Sequence, residues 1–153
     1  MLNRTKRQRQ DVQRLLREDY PERMEQLKIL PERIATERAR LTAIRSASAE
    51  GQAVRGASGN VRQERDTAII TLIDQLKAEQ ETAKREVRVI TQILDTLDPL
   101  ERKTVDYMDI SRQKDGMDRL CQELGYERTR VYEIYNGALD KIARMYGPPF
   151  RIR

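Results

Sequence analysis

Residues 69–97, IITLIDQLKAEQETAKREVRVITQILDTL, contain the most regular pattern in this chain of 153 residues. One face repeats at alternating spacings of four and three residues, through Ile69, Ile73, Leu76, Gln80, Ala83, Val87, Ile90, Leu94 and Leu97. A 3.5-residue repeat over about four heptads predicts a long helix with a coiled-coil seam. Gln80 is the one polar seam residue, and such a residue often sets register or partner number. The seam packs either on residues 27–44, as an antiparallel hairpin, or on the same helix of a second subunit in a homo-oligomer.

The residues on the N-terminal side of this seam also predict helices. Val12, Leu15 and Leu16 form a short apolar stripe in a first helix of about residues 3–18. The stretch Asp19-Tyr20-Pro21-Glu22 allows that helix to end and a second one, about residues 22–45, to begin. A heptad-like face runs along the second helix through Leu27, Leu30, Ile34, Leu41 and Ile44. Pro31 interrupts this face, so it either kinks the helix or starts a new one.

Residues 46–60, SASAEGQAVRGASGN, separate this region from the seam helix of about residues 61–97. Three glycines and several small polar side chains indicate a flexible linker. A glycine-rich phosphate cradle is the alternative, but it needs a Lys-Ser/Thr pair or a preceding strand, and this stretch shows neither. We therefore interpret residues 1–97 as a helical arm, folded as a hairpin or coiled coil.

A new domain is expected to begin at Asp98-Pro99-Leu100-Glu101. An N-cap acceptor, a proline at the first helical position and a glutamate at the third form a close variant of the capping box. The predicted helix runs from Pro99 to about Ile110. Its candidate core residues are Leu100, Val105 and Met108.

Two further helices complete this domain, which we place at residues 98–146, before a tail at 147–153 to which we assign no function. One runs from about Met117 to Leu124 and ends at Gly125, where a left-handed C-cap closes a helix at low energetic cost. The next begins near Glu127 and has an apolar face formed by Val131, Ile134, Ala138, Leu139 and Ile142. The predicted fold is all-α, a helical arm followed by a three-helix module with a helix-turn-helix.

The last two helices contain the candidate functional residues. If Leu120, Cys121 and Leu124 pack under Val131 and Ile134, the start of the third helix exposes a row of polar side chains. Arginine can contact guanine through two hydrogen bonds, asparagine can read adenine, and threonine or tyrosine can reach phosphate or a thymine methyl group. The predicted DNA-binding residues are Arg128, Thr129, Arg130, Tyr132, Glu133 and Asn136. An ordinary three-helix bundle with a surface of mixed charge is the alternative.

Residues 119–142, RLCQELGYERTRVYEIYNGALDKI, resemble the region-4 helix-turn-helix of bacterial sigma-70 factors. The positions that match are Leu120, Cys121, Leu124, Gly125, Tyr126, Arg130, Val131, Ile134, Ala138, Leu139 and Ile142. The order of segments also resembles phage-encoded transcription regulators of the ArpU and RinA type. That resemblance implies a late-gene activator that acts with host RNA polymerase at the nucleoid. Two residues depart from the pattern, Glu127 at the usual Ser or Thr N-cap and Gly137 inside the third helix.

The charge distribution is compatible with a polyanionic partner. The formal net charge is +5, and an N-terminal basic run includes Arg4, Lys6, Arg7 and Arg9. These four residues are candidate accessory phosphate contacts, and a frayed, solvated terminus is the alternative. No apolar stretch is long enough to cross a membrane, and the N-terminus lacks the apolar segment of a signal peptide. A cytoplasmic location is therefore expected.

Enzymatic and metal sites are not expected. The chain has no histidine, which excludes the common metal sites and histidine-based acid–base catalysis. The single cysteine, Cys121, falls on the inner face of a helix, where a small buried hydrophobic residue is usual. Asp106 and Asp109 are interpreted as solvated charges on a helix surface. No catalytic residue and no cofactor follow from these observations.

Two other functions remain open at this point. The small terminase subunit of a phage packaging motor also combines a helix-turn-helix with helical oligomerisation segments, and it would form a closed ring. A protein-interaction adaptor would use the coiled-coil seam as its functional surface, and its C-terminal bundle would bind a protein. The adaptor would show no DNA sequence preference, and its DNA affinity would vanish at physiological salt.

Overall fold

The computed structural model describes residues 2–50 and 58–147, and its regular elements there are all helices. The all-α prediction is confirmed. The elements are α1 (Leu2–Arg14), a first π turn (Leu15–Asp19), α2 (Tyr20–Glu50), α3 (Ser58–Asp95), α4 (Pro99–Val105), a second π turn (Asp106–Ile110), α5 (Gly116–Leu124) and α6 (Arg128–Tyr146). The central part of the predicted linker, residues 51–57, and residues 148–153 of the tail lie outside the described residues.

The helix break that we predicted at residues 19–22 is wrong. The backbone stays helical through this stretch, and the first π turn ends at Asp19, two residues before Pro21. In that turn the amide of Tyr20 donates to the carbonyl of Leu15, one residue further back than in an α-helix. Pro21 has no N–H to donate, and the wider turn before it lets the helix continue without a break.

Pro31 does not start a new helix, since α2 continues through it. The side chain of Pro31 is exposed, so the carbonyl group that loses its helical partner can bond to water instead. The linker between α2 and α3 is also shorter at both ends than we predicted. Helix α2 extends to Glu50 and α3 begins at Ser58.

The chain forms two compact units, one of Met1–Arg23 with Glu86–Arg153 and one of Met24–Arg85. This division differs from the boundary that we predicted at Asp98. The reason is that α1 and the last turns of α3 share a hydrophobic core with α4 and α6. We name the first unit the terminal unit and the second the middle unit.

In the middle unit, α2 and α3 pack on each other through aliphatic side chains. The buried cluster consists of Leu30, Ile34, Ile69, Ile73 and Leu76, with Leu41, Ile44 and Leu72 at its edge. Arg45 of α2 also pairs with Asp66 of α3, at 3.6 Å between nitrogen and oxygen. In this part of the seam, α2 of the same chain therefore provides the packing partner.

The terminal unit has a core built from four helices and the first π turn. Its buried members are Val12, Leu15, Leu16, Ile90, Ile93, Leu94, Leu97, Val105, Tyr135, Ala138, Leu139, Ile142 and Ala143. The C-terminal part of the seam contributes three of these residues. Across both units, seven of the nine seam residues are buried, and Gln80 and Val87 are half-buried. The predicted seam face is thus the buried face of α3.

The start of α4 follows the predicted capping pattern. Asp98 is the N-cap in extended conformation, and its amide donates to Oε1 of Glu101 at 3.3 Å. Lys141 of α6 donates to the same oxygen at 2.6 Å. Leu100, which we predicted in the core, is 39 % exposed. Glu101 faces α6. Successive residues of a helix are about 100° apart around its axis, so Leu100 points away from α6 into solvent.

Candidate nucleic-acid interface

Helices α5 and α6 are joined by a tight turn that needs glycine. Gly125 has φ 68° and ψ 23°, and its amide donates to the carbonyl of Cys121 at 3.0 Å. This is the predicted left-handed C-cap, a conformation that other residues adopt only with strain. Two residues later Glu127 is the N-cap of α6, with extended backbone and no side-chain hydrogen bond to the helix. The first amide groups of α6 therefore remain available to an external acceptor.

The contact between these two helices is apolar. Met117, Leu120 and Val131 are buried together, and Cys121 and Leu124 pack against them from the edge. Tyr107 and Met108 of the second π turn close the same cluster. Ile134, which we expected in this contact, is half-buried and lies outside the cluster. Cys121 has the position of a small hydrophobic residue.

The predicted base-reading residues all lie within the first nine residues of α6. Five of them are exposed, namely Arg128, Thr129, Arg130, Tyr132 and Glu133, whereas Asn136 is half-buried. Nη1 of Arg130 donates to Glu133 one turn later at 3.2 Å. Arg128 lies 3.9 Å from Asp118, which is too long for a hydrogen bond. Both ion pairs are exposed, so either arginine can exchange its partner for another acceptor at little cost.

Helix α1 packs against α6 in antiparallel direction. The guanidinium of Arg9 donates to both carboxylate oxygens of Asp140 at 2.9 Å, and Gln13 donates to the hydroxyl of Tyr135 at 2.9 Å. The hydrogen bond from Arg9 to Asp140 raises the pKa of Arg9. Arg9 is therefore engaged within the protein, in contrast to the phosphate contact that we predicted for it.

Arg4, Lys6 and Arg7 are exposed, but the antiparallel packing places them level with the C-terminal end of α6. At 1.5 Å of rise per residue, they lie about 20 Å along α6 from Arg128 and Arg130. The structure does not bring the two predicted sets of contacts together on one small surface.

Asp109 is the polar residue that sequence reasoning placed wrongly. We predicted a solvated surface charge, but this residue is completely buried. Its carboxylate accepts from the hydroxyl of Tyr135 at 2.7 and 2.9 Å and from Nε of Arg17 at 2.7 Å. Asp109 follows the core residue Val105 by four positions, and this spacing could have indicated an inward side chain.

This polar cluster ties α6 to both π turns. Burial raises the pKa of Asp109, while the hydrogen bonds from Tyr135 and Arg17 oppose that shift. Burial and the nearby charge of Asp109 also raise the pKa of Tyr135, whose hydroxyl therefore stays protonated and keeps donating. The cluster holds α6 at Tyr135, and the polar side chains of Arg128, Thr129 and Arg130 before it remain exposed.

Gly137 lies inside α6 without a close neighbour. A Cβ atom built on this residue would meet nothing within 4 Å. The glycine is therefore not required by a close helix contact.

Comparison of the chain with protein-family models, with curated proteins and with solved structures finds no match. Within residues 2–50 and 58–147, no group of three or more side chains is placed to bind a metal ion. None of the helices described in these ranges combines the length and the apolar character that a membrane span requires.

Proposed function

We propose that this protein is a sequence-specific regulator of transcription that binds duplex DNA. The observation that supports this proposal is the arrangement of α5, the turn at Gly125 and α6. Its two helices bury an apolar contact around Leu120 and Val131 and expose a row of polar side chains at the start of α6. Such a helix start is of the right size and chemistry to enter the major groove.

In this proposal Arg128 and Arg130 contact guanine or phosphate, and Asn136 contacts adenine. Thr129 and Tyr132 contact phosphate or a thymine methyl group, and Glu133 accepts from cytosine or orients Arg130. The uncapped amide groups at the start of α6 are further phosphate donors. Arg4, Lys6 and Arg7 are then phosphate contacts to flanking duplex, away from the groove that α6 reads.

The resemblance of residues 119–142 to sigma region 4 supports a role in transcription, and the order of segments supports a phage or prophage late-gene activator. Host RNA polymerase is the protein partner that this resemblance implies, and the bacterial cytoplasm and nucleoid are the location. No observation favours the small terminase subunit. The adaptor hypothesis needed the seam as a free surface in addition to a protein-binding C-terminal bundle, and seven of the nine seam residues are buried in the chain.

Fluorescence anisotropy on duplex fragments from the chain's own genomic locus and on scrambled duplex tests this proposal. The titrations are made at about 50 and 200 mM salt, because contacts to phosphate alone lose most of their affinity across this range. We expect one fragment to keep its preference at the higher salt. Equal binding of all fragments that disappears with salt would contradict sequence-specific recognition.

The double variant Arg128→Ala/Arg130→Ala tests whether α6 is the reading element. We expect preference for the specific fragment to fall by about tenfold or more, since each arginine–guanine contact contributes about 1–3 kcal/mol of discrimination. The matched control is Arg85→Ala/Arg88→Ala, which removes two exposed arginines of α3. Circular dichroism should stay helical in both double variants. The same preference in the two variants would rule out α6 as the reading element.

A further inference from the structure

A cleft of about 390 Å³, open to solvent, lies beside the start of α5. Three arginines from separate parts of the terminal unit line it: Arg17 of the first π turn, Arg112 of the loop before α5, and Arg128 of α6. Arginine is ionised at every physiological pH, and its planar group of donors matches the oxygens of a phosphate. The cleft is not part of the predicted reading surface, although Arg128 belongs to both.

The three guanidinium groups retain donors that can face a ligand. Arg17 uses Nε for its bond to Asp109, and its side chain is 33 % exposed. Because that bond anchors it in the core, the rest of its guanidinium is held in place before a ligand arrives. Arg112 has no hydrogen bond or ion pair among the described residues, and Arg128 has only the 3.9 Å contact with Asp118.

Two carboxylates, Asp115 and Asp118, share the lining of the cleft. Asp115 is the N-cap of α5, but its side chain makes no hydrogen bond to the helix. Asp118 is 66 % exposed and faces Arg128. An anion in the cleft would therefore lie on the arginine side, and its affinity would be limited by these two negative charges.

We propose that this cleft binds a phosphate group, supplied either by the backbone of duplex DNA or by a small phosphate ester. The three arginines that line the cleft supply the donors of charge-assisted hydrogen bonds. The DNA source rests on the function proposed above, whereas the phosphate site itself does not.

Titration of the full chain with inorganic phosphate, at constant ionic strength set with chloride, tests the site. We expect saturating changes in the amide NMR signals of residues 113–118. Arg112→Gln should weaken phosphate binding by about tenfold, since one charge-assisted bond is lost. Asp118→Asn should bind more tightly than the wild type, because it removes a negative charge that opposes the ligand.

The matched control is Arg144→Gln, which removes an exposed arginine at the other end of α6 and should bind phosphate like the wild type. Two results would overturn the proposal: no saturating change in the wild type, or equal weakening in Arg112→Gln and Arg144→Gln. If Asp118→Asn binds phosphate more tightly than the wild type, the charged residues of the cleft act on a bound anion. A purely structural role of these residues would not give this result.

The salt dependence of duplex binding then identifies the source of the phosphate. If DNA supplies it, Arg112→Gln should lower the slope of log affinity against log salt by about one, and Arg88→Gln, at an exposed position of α3, should not. If the slope is unchanged while phosphate binding is lost, a small phosphate ester is the ligand. If the wild type shows no preference among duplexes, the proposed function fails, and the phosphate titration still decides the site.

Discussion

The buried residues of the middle unit are all apolar, whereas the terminal unit buries Glu101, Thr104 and Asp109 within its core, as far as the structure describes the chain. In the middle unit, two helices meet through a cluster of leucines and isoleucines. In the terminal unit, α6 is held by an apolar core and also by two hydrogen-bonding partners of Tyr135, whose hydroxyl donates to Asp109 and accepts from Gln13.

This difference matters for a surface that must be presented with defined geometry. Apolar contacts have no preferred direction, so a two-helix contact can relax by sliding or tilting. Hydrogen bonds to a buried carboxylate are directional, and losing one leaves an unsatisfied buried group. The terminal unit therefore fixes the orientation of α6, and the candidate reading residues project from this fixed helix.

The largest expected effect concerns core leucines in the two units. Leu139→Ala should lower the free energy of unfolding by about 3–4 kcal/mol, because Leu139 is fully buried in a core of several elements. Leu76→Ala should cost about 2–3 kcal/mol, since two packed helices can close part of the cavity. Urea unfolding followed by circular dichroism measures both values. A larger loss for Leu76→Ala would contradict the greater rigidity that we assign to the terminal unit.

The next effect tests the polar cluster. Asp109→Asn should lower the free energy of unfolding by about 2 kcal/mol, less than the loss of a fully buried ion pair, because Arg17 is partly exposed. The control is Asp106→Asn in the same π turn, where the side chain is only half-buried, and it should change stability by less than about 0.5 kcal/mol. Equal effects of the two substitutions would show that the cluster contributes no specific stabilisation.

The wild type and Asp109→Asn should differ in how their stability depends on pH. Burial raises the pKa of Asp109, so the folded state binds this proton more readily than the unfolded state does. The stability contributed by Asp109 therefore falls as the pH rises from the ordinary pKa of an aspartate to the raised pKa of this group. The same stability is regained when the pH is lowered again. Arg17 and Arg112, the cations that face Asp109, stay charged throughout.

We therefore expect wild type to gain stability relative to Asp109→Asn as pH is lowered from 7 towards about 4, measured by urea unfolding at each pH. Asp19, whose pKa burial also raises, is present in both proteins, and its effect cancels in the difference. A difference in stability that shrinks on acidification would contradict the direction of the shift at Asp109.

The smallest expected effect on stability comes from glycine substitutions in α6 and in the turn before it. Gly137→Ala should raise the free energy of unfolding by about 0.5–1 kcal/mol, since the added methyl group meets no atom and alanine favours a helix. Gly125→Ala is the matched change at a positive φ and should instead destabilise by about 1 kcal/mol. Thermal unfolding distinguishes the signs. Destabilisation by Gly137→Ala would mean that α6 has a partner at this position.

Much of the local structure could be predicted because it depends on residues close in sequence. The seam of α3, the capping at Asp98 and the left-handed turn at Gly125 follow from side-chain spacing and backbone preference, and the structure contains all three. The π turns could not be predicted, because an extra residue in a helical turn depends on what the flanking segments pack against. The N-terminal helix break failed for this reason.

The candidate site also has one part that could be predicted from the sequence and one part that could not. The spacing of Leu120, Gly125 and Val131 was sufficient to predict that the polar side chains at the start of α6 are exposed, and Arg128 and Arg130 are exposed there. Nothing close in sequence linked Arg9 to Asp140, or Arg17 to Asp109. These pairs are separated by 131 and 92 residues, and they meet only because α1 packs beside α6 and the first π turn packs beside the second.

The amino-acid sequence by itself determined the helical class, the buried face of α3 and the turn between α5 and α6. These features depend on backbone preference and on periodic burial of apolar side chains, which act over one or two helical turns. Only the tertiary structure decided that α1 belongs to the terminal unit, that Asp109 is buried, and that three arginines line one cleft. Those outcomes require segments distant in sequence to meet, and a buried charge is tolerated only where such a meeting supplies its partners.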